Sequence, residues 1–418
     1  MLVALLAGCS APDATPGRDA ATVDAVTLPG DAGEAARPDV PTTRALTIAV
    51  FALPDNTPPG AAIYAAGTFN DWNPGDPRHR LARADDGTWR VQVAPLPEGS
   101  PVEFKLTRGS WATVEQRDDG AELPNRRASF TAARPVIAAA VARWADLGRS
   151  GSTVSGDVRE LRGVAIPQLG TTRTVWVYLP RGYEATTRRY PVLYMLDGQN
   201  LFDARRAAFG REWGVDEAVE TLSLEGDLPQ GLIVVGVENS SARGCEYNVF
   251  ADDPHPACPE GGALGDRTLD FFVDTLKPRI DGAYRTLPDR AHTGVAGSSM
   301  GGSMAVRAAV ARSAVFSRAA ALSPSYQNRL ASPVGMPGFV RAAALTQPLR
   351  VHQDMGDAEQ IRELDARVLT ANMRAVADAL RAAGVPDDAQ RALVIPGATH
   401  DEAAWSARVG ETLRWLWR

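Results

Sequence analysis

The chain has 418 residues, 44% of them hydrophobic and 22% charged, which is ordinary globular usage and enough length for two or three cores. Its 44 Lys and Arg against 50 Asp and Glu leave a net charge of −6, and no basic run exceeds a pair, so a nucleic-acid-binding body is excluded. No stretch reaches the roughly 18 consecutive apolar residues that a spanning helix needs.

The first segment is a short apolar run, Leu2 to Ala7, closed by Gly8 and Cys9. Leu6-Ala7-Gly8-Cys9 resembles the lipobox of bacterial lipoproteins. That resemblance implies a lipid on Cys9, export, and attachment to the outer membrane, its periplasmic side or the cell surface. Residues 1–9 are therefore read as a signal remnant whose true start lies upstream. Residues 10–43 are rich in Ala, Asp, Pro, Thr and Gly and hold no aromatic residue. Such a stretch buries too little apolar surface to offset its ordering entropy, so it is read as a flexible linker.

From 44 to 146 the pattern turns to short alternating runs, such as Leu46 to Val50 and Trp89 to Val93. They are separated by turn signals at Pro58-Pro59-Gly60, Asp86-Gly87 and Pro97-Glu98-Gly99. Several short strands in about 100 residues predict an all-β, immunoglobulin-like sandwich. Ile63 to Pro74 (with Gly67-Thr68-Phe69-Asn70-Asp71-Trp72), Glu103-Phe104-Lys105-Leu106, Gly109-Ser110-Trp111 and Asn125-Arg126 resemble starch-binding carbohydrate-binding modules. Those modules stack sugar rings on exposed Trp side chains, which makes Trp111 and Trp72 candidate glycan contacts. The alternative is that these rings cap the core.

Beyond Gly156 apolar strands alternate with helical stretches. Val175 to Pro180, Pro191 to Leu196 and Leu232 to Val237 read as buried strands, and Phe271 to Ile280 and Ala371 to Ala383 as helices. This predicts an α/β domain over 156–418 with a central, mostly parallel sheet. Cys245 and Cys258 bracket a polar, Pro-containing loop. In an oxidising compartment a disulfide between them would add about 3 kcal/mol by loop-closure arithmetic.

Gly297-Ser298-Ser299-Met300-Gly301 fits G-x-S-x-G between an apolar run and a helix-compatible one, the setting of a nucleophile elbow. Small flanking residues let the chain turn tightly, projecting the Ser299 hydroxyl and aiming the Met300 amide at a developing oxyanion. The base must follow Ser299. His352 lies inside an apolar run and reads as strand filling; His400 ends a strand before the terminal helix at Trp405 to Trp417, and is preferred. Glu359 is the favoured acid, because a turn at Gly356 can carry it towards His400; Asp357 is the alternative and Asp354 the third choice. The second oxyanion donor is expected after the strand ending at Leu196, from Gln199 or Gly198.

Tyr194 to Phe202, Arg243…Glu246-Tyr247, Leu276 to Asp281, Gly297 to Gly302 and Gly397…His400 through Trp405 resemble an esterase family. It groups enterochelin-esterase-like, esterase D-like and feruloyl or acetyl-xylan esterases. The resemblance implies an α/β-hydrolase fold and a carboxylic-ester hydrolase with Ser299, Glu359 and His400 in the matching positions, acting without cofactor or metal. The expected substrates are acyl or aryl esters on polysaccharides. Siderophore esters and acyl transfer are alternatives, as is a glycan-binding surface lipoprotein with an inert hydrolase domain. No nucleic-acid partner is expected, and membrane contact only through Cys9.

Overall fold

The computed structural model describes residues 44–418 except 132, 134, 149–150, 251–257, 259–261, 327–334, 344 and 362. The stretches read above as a signal remnant with Cys9 and as a linker over 10–43 lie outside the described residues.

The first folded region is the expected sandwich. Arg44–Ala52 pairs antiparallel with Trp89–Leu96 and parallel with Val136–Ala140. Pro101–Thr107 lies between Tyr64–Gly67 and Arg126–Ser129 in a second sheet. Alternate residues point inward, as strand geometry dictates, so Leu46, Ile48, Val50, Val91, Val93, Phe104 and Leu106 share one core. The buried indole of Trp144 closes it and donates to Thr57 Oγ1 at 2.9 Å.

The second region is built on eight strands: β1 (Asp157–Ile166), β2 (Thr171–Leu179), β3 (Val192–Leu196), β4 (Ile233–Val237), β5 (Thr293–Ser298), β6 (Arg318–Leu322), β7 (Arg350–Gly356) and β8 (Gln390–Ile395). Their order in the sheet is 1-2-4-3-5-6-7-8. The pairs β1–β2 and β2–β4 are antiparallel and all others parallel. On β3 the faces separate cleanly: Val192, Tyr194 and Leu196 enter one core, Leu193 and Met195 the other. Helices α1 (Val215–Glu225) and α4 (Glu402–Leu416) cover the second face, and α2 (Met300–Ala311) and α3 (Ala366–Ala382) the first. Two buried faces explain why these strands read as continuous apolar runs. The fold is an α/β-hydrolase.

Helix ends differ from expectation where capping chemistry decides them. α3 begins five residues before Ala371 because Asp365 accepts from the amides of Arg367 and Val368. α4 begins before Trp405 because Asp401 accepts from Ala404 N. The segment expected as a helix over 271–280 runs through Gly265–Asp270, a π-helical turn Phe271–Leu276 and Lys277–Ala283. Pro278, which has no N–H to give, follows that widened turn. Cys245 and Cys258 are joined as a disulfide, with Cα atoms 5.0 Å apart.

The two regions are tied by polar contacts. Arg181 donates to Asp86 O and Phe51 O of the sandwich and to Glu220 Oε2 of α1. The connecting segment is strapped to the start of α1: Ser155 N donates to Asp216 Oδ2 at 2.7 Å and Ser155 Oγ to Glu217 Oε1 at 2.6 Å. Burial, with the charge of Glu217 beside it, pushes the Glu212 carboxyl up to about 9, and burial raises Asp216 too. Among the described residues, no helix is long and apolar enough to cross a membrane.

Candidate active site

Ser299 sits between β5 and α2 with φ 52° and ψ −124°, a backbone state that a side chain adopts only under constraint. The constraint is visible: Ser299 N donates to Leu322 O of the neighbouring strand, and a Cβ on Gly297 would lie 2.6 Å from the carbonyl carbon of Gly301. Only glycine permits that approach. The turn exposes the hydroxyl at the carboxyl edge of the sheet.

His400 follows β8, and its Nε2 lies 3.0 Å from Ser299 Oγ. Its Nδ1 lies 2.8 Å from Glu359 Oε2. Trp405 closes on the imidazole edge-on, ring centroids 5.2 Å apart, and holds the ring plane. Glu359 is only 2% exposed, and its other oxygen accepts from Gly356 N at 2.7 Å and Ser323 Oγ at 2.5 Å. The two other acids considered are engaged elsewhere. Asp357 accepts from Gly397 N at 2.6 Å, fastening the loop that carries His400. Asp354 is buried against Arg408 and His352, whose ring fills space within β7. The arginine and the hydrogen bonds hold the Asp354 carboxyl below its usual range despite its burial.

After β3 the chain makes a 3₁₀ turn, Gly198–Asn200, entered through Asp197 in the left-handed conformation, φ 59°. Gly198 is required here, since a Cβ would lie 2.4 Å from the carbonyl carbon of Gly236. Arg243 grips Asp197 in two-point fashion at 2.7 and 2.8 Å, and Asn239 Nδ2 adds a bond of 2.6 Å. Asp197 N donates to Tyr247 OH. The Gly198 and Gln199 amides thus sit on a braced turn. Met300 N opens α2, where the first amides of a helix have no partner within it.

The chemistry open to this arrangement is nucleophilic substitution at an acyl carbon. A hydroxyl bonded to an imidazole, oriented by a carboxylate and flanked by backbone amides, can attack a carbonyl and stabilise the tetrahedral oxyanion. The model of the Putative esterase family matches residues 166–416. This chain belongs to that family.

Other similarities extend the comparison. An alpha-amylase of Niallia circulans is 43% identical over 94 residues, which is 22% of this chain and 7% of that protein. This chain thus spans a small fraction of the curated relatives it matches first. The ferulic acid esterase of Anaeromyces mucronatus, solved with ferulic acid, is 18% identical with a TM-score of 0.47, covering 62% of this chain and 90% of that one. The enterobactin esterase of Shigella flexneri is 14% identical with a TM-score of 0.48, covering 85% and 88%.

In the sandwich, Trp72 and Trp111 lie side by side, ring centroids 6.4 Å apart and inclined at 38°. Trp111 is 43% exposed. They line a concavity of about 520 Å³ with Lys105, Glu122 and Asn125. Asn70 shapes the turn beneath Trp72 by accepting from Gly67 N and donating to Ala65 O.

Several neighbours of the site were not singled out by sequence reasoning. Ser325 Oγ lies 3.0 Å from Ser299 Oγ. Asp197 and Arg243 brace the turn after β3, and Ser323 and Arg408 lie behind Glu359. A usable signal existed for Ser323 and Ser325: they follow β6, whose carboxyl end adjoins that of β5. Phe209 is 91% exposed with φ 64°, in a loop fastened to the same turn by Ala208 N donating to Asn200 Oδ1 at 2.8 Å.

Proposed function

We propose that this esterase cleaves acyl or aryl esters borne on polysaccharides, through an acyl-enzyme on Ser299. The observation that carries the reading is the unbroken line of contacts from Ser299 Oγ through His400 to Glu359, 3.0 and 2.8 Å long. Ser299 Oγ attacks the ester carbonyl while its proton passes to His400 Nε2. Glu359 holds the Nδ1–H tautomer and stabilises the imidazolium. The Met300 amide, with Gln199 or Gly198, receives the oxyanion. His400 returns the proton to the departing alcohol; water, activated by the same imidazole, then releases the acid.

The polysaccharide part rests on the paired Trp72 and Trp111 and on the likeness of 94 residues of the chain to part of an alpha-amylase. Two indoles at that spacing offer apolar faces to successive sugar rings, and Lys105 and Asn125 offer polar groups beside them. Phe209, nearly bare next to the braced turn, offers an aromatic or acyl group a surface to cover. A lipid on Cys9 and the 10–43 linker would let the folded body reach such polymers from a membrane surface.

Hydrolysis of p-nitrophenyl acetate by the wild type and by Ser299→Ala tests the chemistry. The wild type turns over and the variant falls to background; equal rates in the two would end the esterase reading at this site. Native-gel retardation by soluble starch or xylan, with and without Trp111→Ala, tests the sugar surface. Unretarded wild type would remove it.

A further inference from the structure

The side chains behind Glu359 form a chain of hydrogen bonds whose directions are fixed by chemistry. Ser323 Oγ receives Trp405 Nε1–H at 2.9 Å and Arg408 Nη2–H at 2.6 Å. Indole and guanidinium nitrogens only donate, so both lone pairs of the Ser323 oxygen are taken. Its own proton has one remaining destination, Glu359 Oε1, 2.5 Å away. Glu359 Oε1 is therefore an acceptor, also from Gly356 N, and Oε2 is left to receive His400 Nδ1–H. That places the lone pair of the imidazole on Nε2, facing Ser299.

Ser323 is held for this role at a cost. It is fully buried and has φ 45°, a conformation disfavoured for a residue with a side chain. Its amide is tied to Asp354 O at 3.0 Å, and Arg408 is in turn fixed by Asp354 Oδ1 at 3.0 Å. The charged and titratable groups around the Glu359–His400 pair come from three directions: Arg408, Glu402 and the cap Asp401 from α4, Asp354 and His352 from β7, and Asp357 from the loop after β7.

We infer that Ser323, loaded by Trp405 and Arg408, is a positioning residue that directs Glu359 and thereby selects the tautomer of His400. The inference rests on the reading of Glu359 as the acid of the triad. Without the Ser323 proton, the carboxylate loses a charge-assisted bond, becomes a stronger acceptor towards the imidazolium and gains freedom to rotate. The nearest other side-chain donor, Arg408 Nη2, lies 3.8 Å from that oxygen, beyond hydrogen-bond distance.

Ser323→Ala removes the hydroxyl alone and keeps the Cβ at a positive φ, whereas Ser323→Gly removes the Cβ as well and suits that φ, so the pair separates backbone strain from hydrogen bonding. Both variants are measured for kcat/KM across pH on p-nitrophenyl acetate, in the wild-type background and in Glu359→Gln. The expected result is a fall of about tenfold in both variants, with the acid limb moved up by about half a pH unit. In the Glu359→Gln background, removing the hydroxyl should add little. A fall of the same size in both backgrounds, with the acid limb unmoved, would assign Ser323 a purely structural role and overturn the inference. Wild-type activity in Glu359→Gln itself is a separate outcome, and would overturn the triad reading beneath it. If Ser323→Ala does not fold, Ser323→Gly alone decides.

Discussion

Asp197 carries its carboxylate into the fork of Arg243, and the pair holds a left-handed residue at the entrance to the turn that bears the Gly198 and Gln199 amides. Nothing about this contact is on the nucleophile's own loop. It joins the end of β3 to the segment Arg243–Glu246 and so couples the proposed oxyanion site to a second element.

Asp197→Asn keeps the shape but weakens the two-point charge pairing. The expected result is a drop of roughly 10- to 100-fold in kcat on p-nitrophenyl acetate, a substantial part of what losing one oxyanion donor costs. Circular dichroism should show the fold retained. Unchanged kcat would mean that the turn needs no brace.

The acids near His400 should separate sharply. Glu359→Gln is expected to lower kcat/KM by about 10²- to 10⁴-fold, since the amide cannot stabilise the imidazolium. Asp357→Asn removes the charge but keeps an amide oxygen that can accept from Gly397 N, and should stay within a few-fold of wild type. Steady-state kinetics on the two purified variants gives the comparison, and a reversed order would move the acid to Asp357.

The buried carboxyls under the strap between the two regions predict a pH dependence of stability. Glu212 is pushed up to about 9 in the folded chain, from an ordinary value of 4.5. The folded state therefore holds a proton that the unfolded state has released. Its stabilising effect is complete below about pH 4.5 and is lost as pH rises towards 9, at up to about 1.4 kcal/mol per unit for one such group. Urea midpoints should fall between pH 5 and pH 8, and Glu212→Gln should flatten that fall. A midpoint rising with pH over this window would contradict the assignment.

Phe209 should act on substrate binding alone. Phe209→Ala is expected to raise KM for p-nitrophenyl esters of longer or aromatic acids several-fold, leaving the acetate nearly unaffected. Alanine keeps the Cβ that disfavours φ 64°, and the lost ring is exposed, so thermal stability should hardly change. Equal effects on all esters would place Phe209 outside the binding surface.

What could be read from the sequence divides along physical lines. The strands of the sheet were legible because burial on both faces leaves an unmistakable apolar run, as in Val192–Leu196. The elbow at Ser299 was legible because its glycines are forced by close approach. His400 followed from chain order and the strand before it. Among Glu359, Asp357 and Asp354, all within six residues, the turn at Gly356 favoured Glu359, and that carboxylate is the one that meets the imidazole. Arg408 and Ser323, and the contact between Asp197 and Arg243 (though not the motifs that hold those two), were invisible for a different reason. Each acts across a separation of dozens of residues, and no local spacing marks it. Helix starts at Ala366 and Glu402 were carried by Asp365 and Asp401, caps that apolar periodicity does not register.

The central claim is that the Ser299 oxygen becomes covalently bonded during turnover. Peptide mass mapping after treatment with diisopropyl fluorophosphate tests it most directly. The account predicts one phosphoryl adduct, on Ser299, formed in step with loss of esterase activity and absent from Ser299→Ala. Full inactivation with the adduct on another residue, or a Ser299 adduct that leaves activity intact, would contradict it.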